Sequence, residues 1–456
     1  MQSKNNQIDM TEGPILSKLL KFSIPLVFSS ILQLLFNAAD VVVVGRFAGD
    51  NSLAAVGSTG PLINLLIGLF LGLSTGTNVV AAHYIGSGKK DELSNTIHTS
   101  MLLSVFSGIF LTVVGVIFTK PILRLMKSPD EVIDLSAIYL RIYFGGITAS
   151  MVYNFGSALL RARGDTKRPL FILLFSGIIN VILNLIFVII FHMNVAGVAL
   201  ATIISQTVSA VIVVIILLKE KDEFLFDLKK LKIHPHILGK IIRIGVPAGF
   251  QGMMFSLSNM VIQSSINSFG PICVAGNSAG QNLEGFVYLS MNGFSQGNLT
   301  FCSQNFGAKK MDRVKKVTII SQLLILVVGF ALGFTALAFV RPLLSIYTTN
   351  PEIIEVGVQR LTIIFSTYTL CGIQDCMANS IRGCGKSLKP AIVTIFGICI
   401  LRLVWISIMF NIPEYHVPLT VYLSYPISWI ITWIILTVIF IRLYKNLNKN
   451  NNQITA

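Results

Sequence analysis

Twelve stretches of the chain run almost unbroken in apolar residues, with polar clusters between them. They fall at 15–44, 53–83, 95–119, 132–158, 168–191, 195–218, 238–268, 274–302, 315–340, 355–381, 389–410 and 419–443. A helix needs about 20 residues to cross a bilayer, so each is long enough, and the longest are expected to tilt or to extend past the lipid. Pro25, Pro247 and Pro426 fall inside spans. Bilayer helices tolerate such prolines when neighbouring helices satisfy the freed carbonyls. The pattern predicts an all-α membrane protein of twelve transmembrane helices.

The polar punctuation repeats. Shifted by 222 positions, Pro25 meets Pro247, Phe28 meets Phe250, Asn37 meets Asn259 and Phe47 meets Phe269. One residue fewer in the next loop makes the shift 221. Gly72 then meets Gly293, Gly76 meets Gly297, Arg161 meets Arg382 and Gly164 meets Gly385. The matches fall on Pro, Gly, Asn and Arg, which hydrophobicity alone does not align. Duplicated halves in an apolar chain mark transporters that bind substrate near the midplane. Six spans per half is an even number, so the two halves share one orientation. They are expected to form two six-helix lobes related by a pseudo-two-fold axis along the membrane normal. The N-terminal lobe is 1–218, a basic linker is 219–237, and the C-terminal lobe with a basic tail is 238–456.

Composition and charge agree with a membrane setting. Apolar residues make up 53% and charged residues 12%, against about 25% charged in soluble domains. The formal net charge of +15 suggests nucleic acid at first sight. The positive residues, however, cluster in short loops between apolar segments, at Lys89-Lys90, Arg161–Arg168, Lys219–Arg243, Lys309–Lys316, Arg382–Lys389 and Arg442–Lys449. The opposite loops carry Glu131, Asp134, Glu352, Glu355 and Glu414. The positive-inside rule therefore places both termini and the basic loops in the cytoplasm, and the Arg161–Pro169 and Arg382–Pro390 loops are expected to meet anionic headgroups. No signal peptide is visible in the polar residues 1–12. Ile, Asn and Lys richness points to a bacterium.

Enzymatic signatures are missing. Gly383-Cys-Gly-Lys-Ser387 ends like a phosphate loop, but Ser380 stands where the first glycine is required. There is no HExxH, no GxSxG and no nucleotide-binding domain. Six cysteines lie mostly within spans, which argues against a disulfide framework, and Cys371 and Cys376 lack a nearby His for zinc. The expected cofactor set is empty apart from a coupling H+ or Na+, because an ion gradient is the remaining energy source.

Ion coupling needs ionisable groups at depth, where a charge is expensive and hence functional by default. Asp40 lies late in the first span, one turn after Asn37. Glu284 lies in span 8 and Asp375 in span 10, where the repeat places Asn154 in the first half. Asn180 and Asn184 share a face of span 5 and can serve either as site residues or as interhelical glue. Arg402, in span 11, requires a partner at depth, and Glu284 and Asp375 are the candidates. If it neutralises either acid, the C-terminal lobe holds a locked polar cluster and no empty cation site. Met260, with its neighbours Met253 and Met254, offers either packing or an adaptable wall.

The chain resembles the multidrug and toxic compound extrusion (MATE) family over about 15–443. The resemblance is carried by MTEGPILSKLLKFSIPLVFSSILQLLFNAADVVVVGRF, GSALLRARGDTKRP after span 4, CSQNFGAKK after span 8 and NSIRGCGKSLKP after span 10. It implies two six-helix lobes around a V-shaped cleft, rocker-type exchange of access, and export of organic, often cationic compounds against inward H+ or Na+. In one branch of that family, aspartates in spans 1 and 5 hold the coupling proton. Asp40 matches the first, whereas Asn184 stands where the second belongs, leaving Asp40 with the amides of Asn37, Asn180 and Asn184. In another branch a glutamate in span 7 and an aspartate in span 10 bind a cation. Asp375 matches the latter, but span 7 offers only Asn259, Gln263 and Asn267, so a second carboxylate has to come from Glu284. Substrate contacts are expected from Asn154, Asn259, Met260 and Gln263. The expected protein is a monomeric antiporter for small organic cations, embedded in lipid and not bound to nucleic acid. The alternative is a flippase for a lipid-linked saccharide or other amphiphile, which calls for a wide basic cleft.

Overall fold

Helices account for nearly all of the chain in the computed structural model, which describes residues 7–125, 130–220 and 222–455. In order, the helices are α1 (Ile15–Phe47), α2 (Asp50–Ser87), α3 (Lys90–Leu125), α4 (Asp130–Gly145), α5 (Ile147–Ala162), α6 (Lys167–Leu185), α7 (Asn194–Lys219), α8 (Pro235–Asn267), α9 (Pro271–Gly307), α10 (Met311–Ala338), α11 (Val340–Ser345), α12 (Pro351–Gly383), α13 (Leu388–Thr394), α14 (Leu401–Met409) and α15 (Pro418–Thr455). Among the described residues, nine helical segments are long and apolar enough to cross a membrane unaided, and α4 with α5 forms a tenth, bent by 48°. Helices α8 and α9 have 33 and 37 residues but carry more polar side chains. Each expected span has its helix or helix pair. The helix ends run past the apolar limits, as α2 does at both ends, because polar residues extend helices beyond lipid at no desolvation cost.

The two halves share their turn geometry as well as their residues. Left-handed residues stand 221 apart at three turns: Gly49 and Gly270, Gly88 and Lys309, Gly164 and Gly385. Lys309 keeps φ at 57° where its counterpart is a glycine, a strain of order 1–2 kcal/mol for an L-residue that the rest of the turn sustains. Gly164 is also a point of close approach, since a Cβ there would lie 2.4 Å from the Ile8 carbonyl oxygen.

The chain falls into two compact units. One comprises Met1–Asp9 and Phe28–Gly249, and the other Met10–Val27 and Phe250–Ala456. The breaks at Val27 and Gly249 are themselves repeat-mates, 222 apart. In the first unit Gly72 and Gly76 of α2 face Gly249 and Gly245 of α8, and a Cβ on Gly72 would lie 2.3 Å from the Gly249 nitrogen. In the second unit the counterparts Gly293 and Gly297 of α9 face Val27 and Ser23 of α1. Small residues one turn apart let helix backbones approach where no hydrophobic drive operates between helices in lipid. The same four-residue spacing thus sets one helix crossing in each unit.

Two helices continue through a single wide turn, Ile186–Ile190 after α6 and Ile395–Ile400 between α13 and α14. Such π-turns displace one residue from the regular ladder and often lie beside functional side chains. Asn184 precedes the first and Arg402 follows the second.

Candidate functional site

Asp40 is placed by the packing of α1 on α6. Gly177 leaves room for the ring of Phe36, and a Cβ there would lie 1.8 Å from the Phe36 Cε2. One turn along α1 from Phe36 comes Asp40, and one and two turns along α6 from Gly177 come Asn180 and Asn184. The Asn184 Nδ2 donates to the Asp40 Oδ1. It also lies 3.3 Å from the Asn180 Oδ1. The Thr202 hydroxyl of α7 lies beside the Asp40 carboxylate and also donates to the Val198 carbonyl at 3.0 Å. Tyr139 and Tyr143 of α4 complete the surroundings, their rings stacked at 6.1 Å. Asp40 is half-buried and Asn184 is fully buried. No Lys, Arg or His forms a salt bridge with Asp40 among the described residues. The site is a carboxylate surrounded by neutral oxygens and amides, and it can take a proton or a small cation.

One expected neighbour of Asp40 is absent. Asn37 is exposed. Thr202, Tyr139 and Tyr143 are additions that spacing within one span does not reveal, because they arrive from α7 and α4.

The second unit is built differently. The Arg360 Nε donates to the Glu284 Oε1 at 2.6 Å and its Nη2 donates to the Glu284 Oε2 at 2.9 Å. Its Nη1 donates to the Asn277 Oδ1 at 2.5 Å. Asn277 passes the network on, donating to the Gln263 Oε1 at 3.1 Å, and Gln263 donates to the Asn267 Oδ1 at 3.0 Å. Above the guanidinium stand the rings of Tyr422 at 5.4 Å and Tyr425 at 5.6 Å. Arg360 is only 1% exposed.

This arrangement overturns the expected partner of Arg402. Arg402 pairs with neither Glu284 nor Asp375. Its Nε donates to the Ser428 hydroxyl at 2.8 Å, and its guanidinium lies 4.2 Å from the Tyr425 ring and 5.6 Å from that of Trp429. The aromatic faces supply the attraction that a carboxylate was expected to supply, although the Arg402 Nη2 has no hydrogen-bond partner. Glu284 was already taken by Arg360. Arg360 lies inside the span at 355–381 but is easily overlooked in the sequence, because it stands only five residues from the acidic start of that span at Glu355. The repeat offers the missing signal: 221 positions earlier stands Tyr139, a residue of the Asp40 site.

Asp375 accepts from the Tyr288 hydroxyl at 3.3 Å and from the Gln374 side chain, and Asn292 donates to the Tyr288 oxygen at 3.5 Å. Arg382 exerts its charge on Asp375, but its own hydrogen bonds go to Asn379, to Gln251 at 2.9 Å and to Ser387 at 3.4 Å. Asp375 and Glu284 therefore occupy separate networks and do not form one two-carboxylate site. Of the expected substrate residues, Asn259 and Met260 are exposed on α8 and Gln263 belongs to the amide chain above. Asn154 is engaged in packing, with its Nδ2 on the Ser150 carbonyl at 2.8 Å and its own carbonyl accepting from Ser74 at 3.0 Å.

Three arginines of the basic loops are engaged internally as well. Arg163 and Arg168 both pair with Glu220, and Arg168 also pairs with Asp165. Asp165 caps α6, its Oδ1 accepting from the backbone of Lys167 and Arg168 at 3.1 Å each. Arg163, Arg168 and the buried Arg382 thus brace helix ends, while Lys167, Lys386 and Lys389 of the same loops are exposed.

The MatE family model matches residues 25–186 and again 247–407, once in each half. The chain belongs to the MatE family. It is 29% identical over 384 residues to the probable multidrug resistance protein YoeA of Bacillus subtilis, covering 83% of each chain. It is 25% identical over 401 residues to the FAD transporter of Shewanella oneidensis, covering 86% of this chain and 88% of the other. The fold of this MatE protein matches that of a multidrug resistance MATE family transporter of the MOP superfamily in its outward-facing conformation. The TM-score is 0.90 at 21% identity, over 96% of this chain and 98% of that one. It is accordingly a multi-helix membrane protein of a transporter family, with the two-lobe fold.

Proposed function

We propose that this MatE protein is a secondary active antiporter that exports small organic cations in exchange for inward H+ or Na+ by alternating access. It acts as a monomer in a bacterial cell membrane with both termini in the cytoplasm. The observation that carries this reading is Asp40: an acid at depth, hydrogen-bonded by Asn184 and without an ion-pair partner among the described residues. An uncompensated carboxylate in a membrane lobe is costly unless a cation visits it. When a proton or Na+ neutralises Asp40, the pull on the Asn184 amide weakens and the packing of α1 on α6 changes. A ligand that interacts differently with the two packings shifts their populations, which is the physical content of exchange. The names of relatives, multidrug resistance protein among them, support the drug reading.

A second reading, transport of an anionic amphiphile, draws on the relative named FAD transporter and on the buried Arg360, Arg382 and Arg402. Those arginines are held by internal acids, amides and aromatic faces, so they make a weaker case than Asp40. The test is efflux from cells lacking other pumps, with the H+ and Na+ gradients collapsed separately. The antiporter reading requires that one of the two collapses abolish efflux of a cationic dye such as ethidium. Efflux that survives both would sink it, and export of an anionic dye alone would favour the second reading.

A further inference from the structure

Two polar centres lie inside the helices, one per unit, and the repeat puts them in correspondence. Tyr139, beside Asp40, and Arg360, on Glu284, stand 221 positions apart in the register that also aligns Arg161 with Arg382. Glu284 itself corresponds to Ile63. At the position where one half carries a phenol within electrostatic reach of an acid that has no ion-pair partner among the described residues, the other half carries a guanidinium hydrogen-bonded to an acid of its own.

We propose that Arg360 is a tethered cation permanently filling a cation site in the second unit, a site formed by Glu284, Asn277 and the faces of Tyr422 and Tyr425. The inference rests on the antiporter reading for its counterpart, the exchangeable cation at Asp40. The cage chemistry is that of organic-cation recognition. A carboxylate takes two guanidinium N–H groups side by side, an amide oxygen takes a third, and aromatic faces cover the remainder. Three of the donor nitrogens of Arg360 are used in this way. The other titratable groups around the pair are Cys273 of α9, Tyr368 and Cys371 of α12, and Tyr422 and Tyr425 of α15. Thiols and phenols are neutral near pH 7 by their reference values of about 8.5 and 10, so the cage carries one negative and one positive charge. Since its positive charge is covalently attached, no ion can be exchanged there. Asp375 is held by the neutral side chains of Tyr288 and Gln374 and lies outside this cage. Of the two centres that the repeat brings into correspondence, only that of Asp40 is left open to an exchangeable cation, and the cage is closed to substrate by its own side chain.

Two measurements on purified full-length protein in nanodiscs test this. The first counts cations, as protons taken up between about pH 8 and pH 5 and as radioactive Na+ bound. Asp40→Asn should remove one exchangeable cation. The charge-neutral double variant Glu284→Gln/Arg360→Met should remove none, and a loss of one there overturns the proposal. A null result at Asp40 would instead overturn Asp40 as the coupling acid of the antiporter reading, so the two failures are distinguishable. The second measurement is chemical rescue. Arg360→Ala should melt at lower temperature than the wild type, and methylguanidinium at millimolar concentration should raise its Tm saturably. Wild type and Glu284→Gln/Arg360→Ala should not respond. The same rise in all three, or none in Arg360→Ala, means that no guanidinium-shaped cage exists. If Arg360→Ala does not fold, the cation count on the double variant decides alone.

Discussion

Asp40 and Glu284 are both carboxylates placed inside apolar helices, yet they are satisfied in opposite ways. Glu284 has a bidentate guanidinium at 2.6 and 2.9 Å. Asp40 has the amide of Asn184, a threonine hydroxyl and two tyrosines nearby. An acid with its own arginine holds helices together. An acid with neutral neighbours is left to whatever cation arrives. The difference teaches that burial of a carboxylate does not by itself mark a coupling site, and that the identity of its partner decides between brace and exchanger.

The comparison is broken most forcefully at Arg360. Removing one member of a buried ion pair strands the other, at about 3–5 kcal/mol. Arg360→Met is expected to lose that much stability in a thermal or denaturant melt. Adding Glu284→Gln should recover most of the loss, because no unpaired charge then remains. A single variant as stable as the wild type would mean that Glu284 is not an obligate ion-pair partner, and the two acids would cease to differ.

Asp40→Asn should behave in the reverse manner. It leaves no charge stranded and keeps an oxygen for the Asn184 amide, so the fold should survive with about 1 kcal/mol or less of change. Gradient-driven efflux should nevertheless be abolished in proteoliposomes, while substrate still binds. Full efflux by Asp40→Asn would move the coupling site out of the first unit, with Asp375 the next acid to test.

Arg402→Met sharpens the contrast from another side. Arg402 has no carboxylate partner, so its removal strands no acid. The loss is confined to the Ser428 hydrogen bond and the cation–π contacts with Tyr425 and Trp429, about 1–2 kcal/mol in a desolvated setting. The expected drop in melting temperature is therefore smaller than for Arg360→Met. Equal drops would imply that Arg402, and not Arg360, holds the C-terminal network.

The sequence alone carries much of this architecture. Every span is written in long apolar runs, and the duplication in Pro25 with Pro247 or Gly164 with Gly385, because lipid leaves helix as the local solution and turns demand particular residues. Asp40 with Asn184 was legible through the family resemblance, which sets a span-5 position opposite the acid of span 1. What was not legible is which arginine meets which acid. Arg360 and Glu284 are 76 residues apart, and Arg402 also lies inside a span with an equally good claim on paper. Only the packing of α12 against α9 and of α14 against α15 decides, and apolar runs do not encode helix rotation. The exposure of Asn37 was lost for the same reason, since apolar runs do not say which way a helix is turned.

The smallest and most selective effect is expected at Asn184. Asn184→Asp places a second acid against Asp40, where the amide now donates. Size and shape are conserved, so folding should be nearly unaffected near neutral or acid pH, where the pair can share a proton. Two carboxylates in contact cannot titrate independently, and their protons leave in two steps that belong to the pair. The pH profile of efflux should therefore change from one step to two, with the maximal rate altered by less than about tenfold, or 1.4 kcal/mol. Arg360 should remain paired and the second unit's stability unchanged. The informative contrast is the equivalent change at the other centre: Asn277→Asp adds an acid beside Arg360, which already carries a fixed positive charge, and should leave the profile with a single step. If both variants produce two steps, the second unit titrates as freely as the first, and the distinction between a tethered and an exchangeable cation fails. If neither does, Asp40 is not the group whose protonation limits transport.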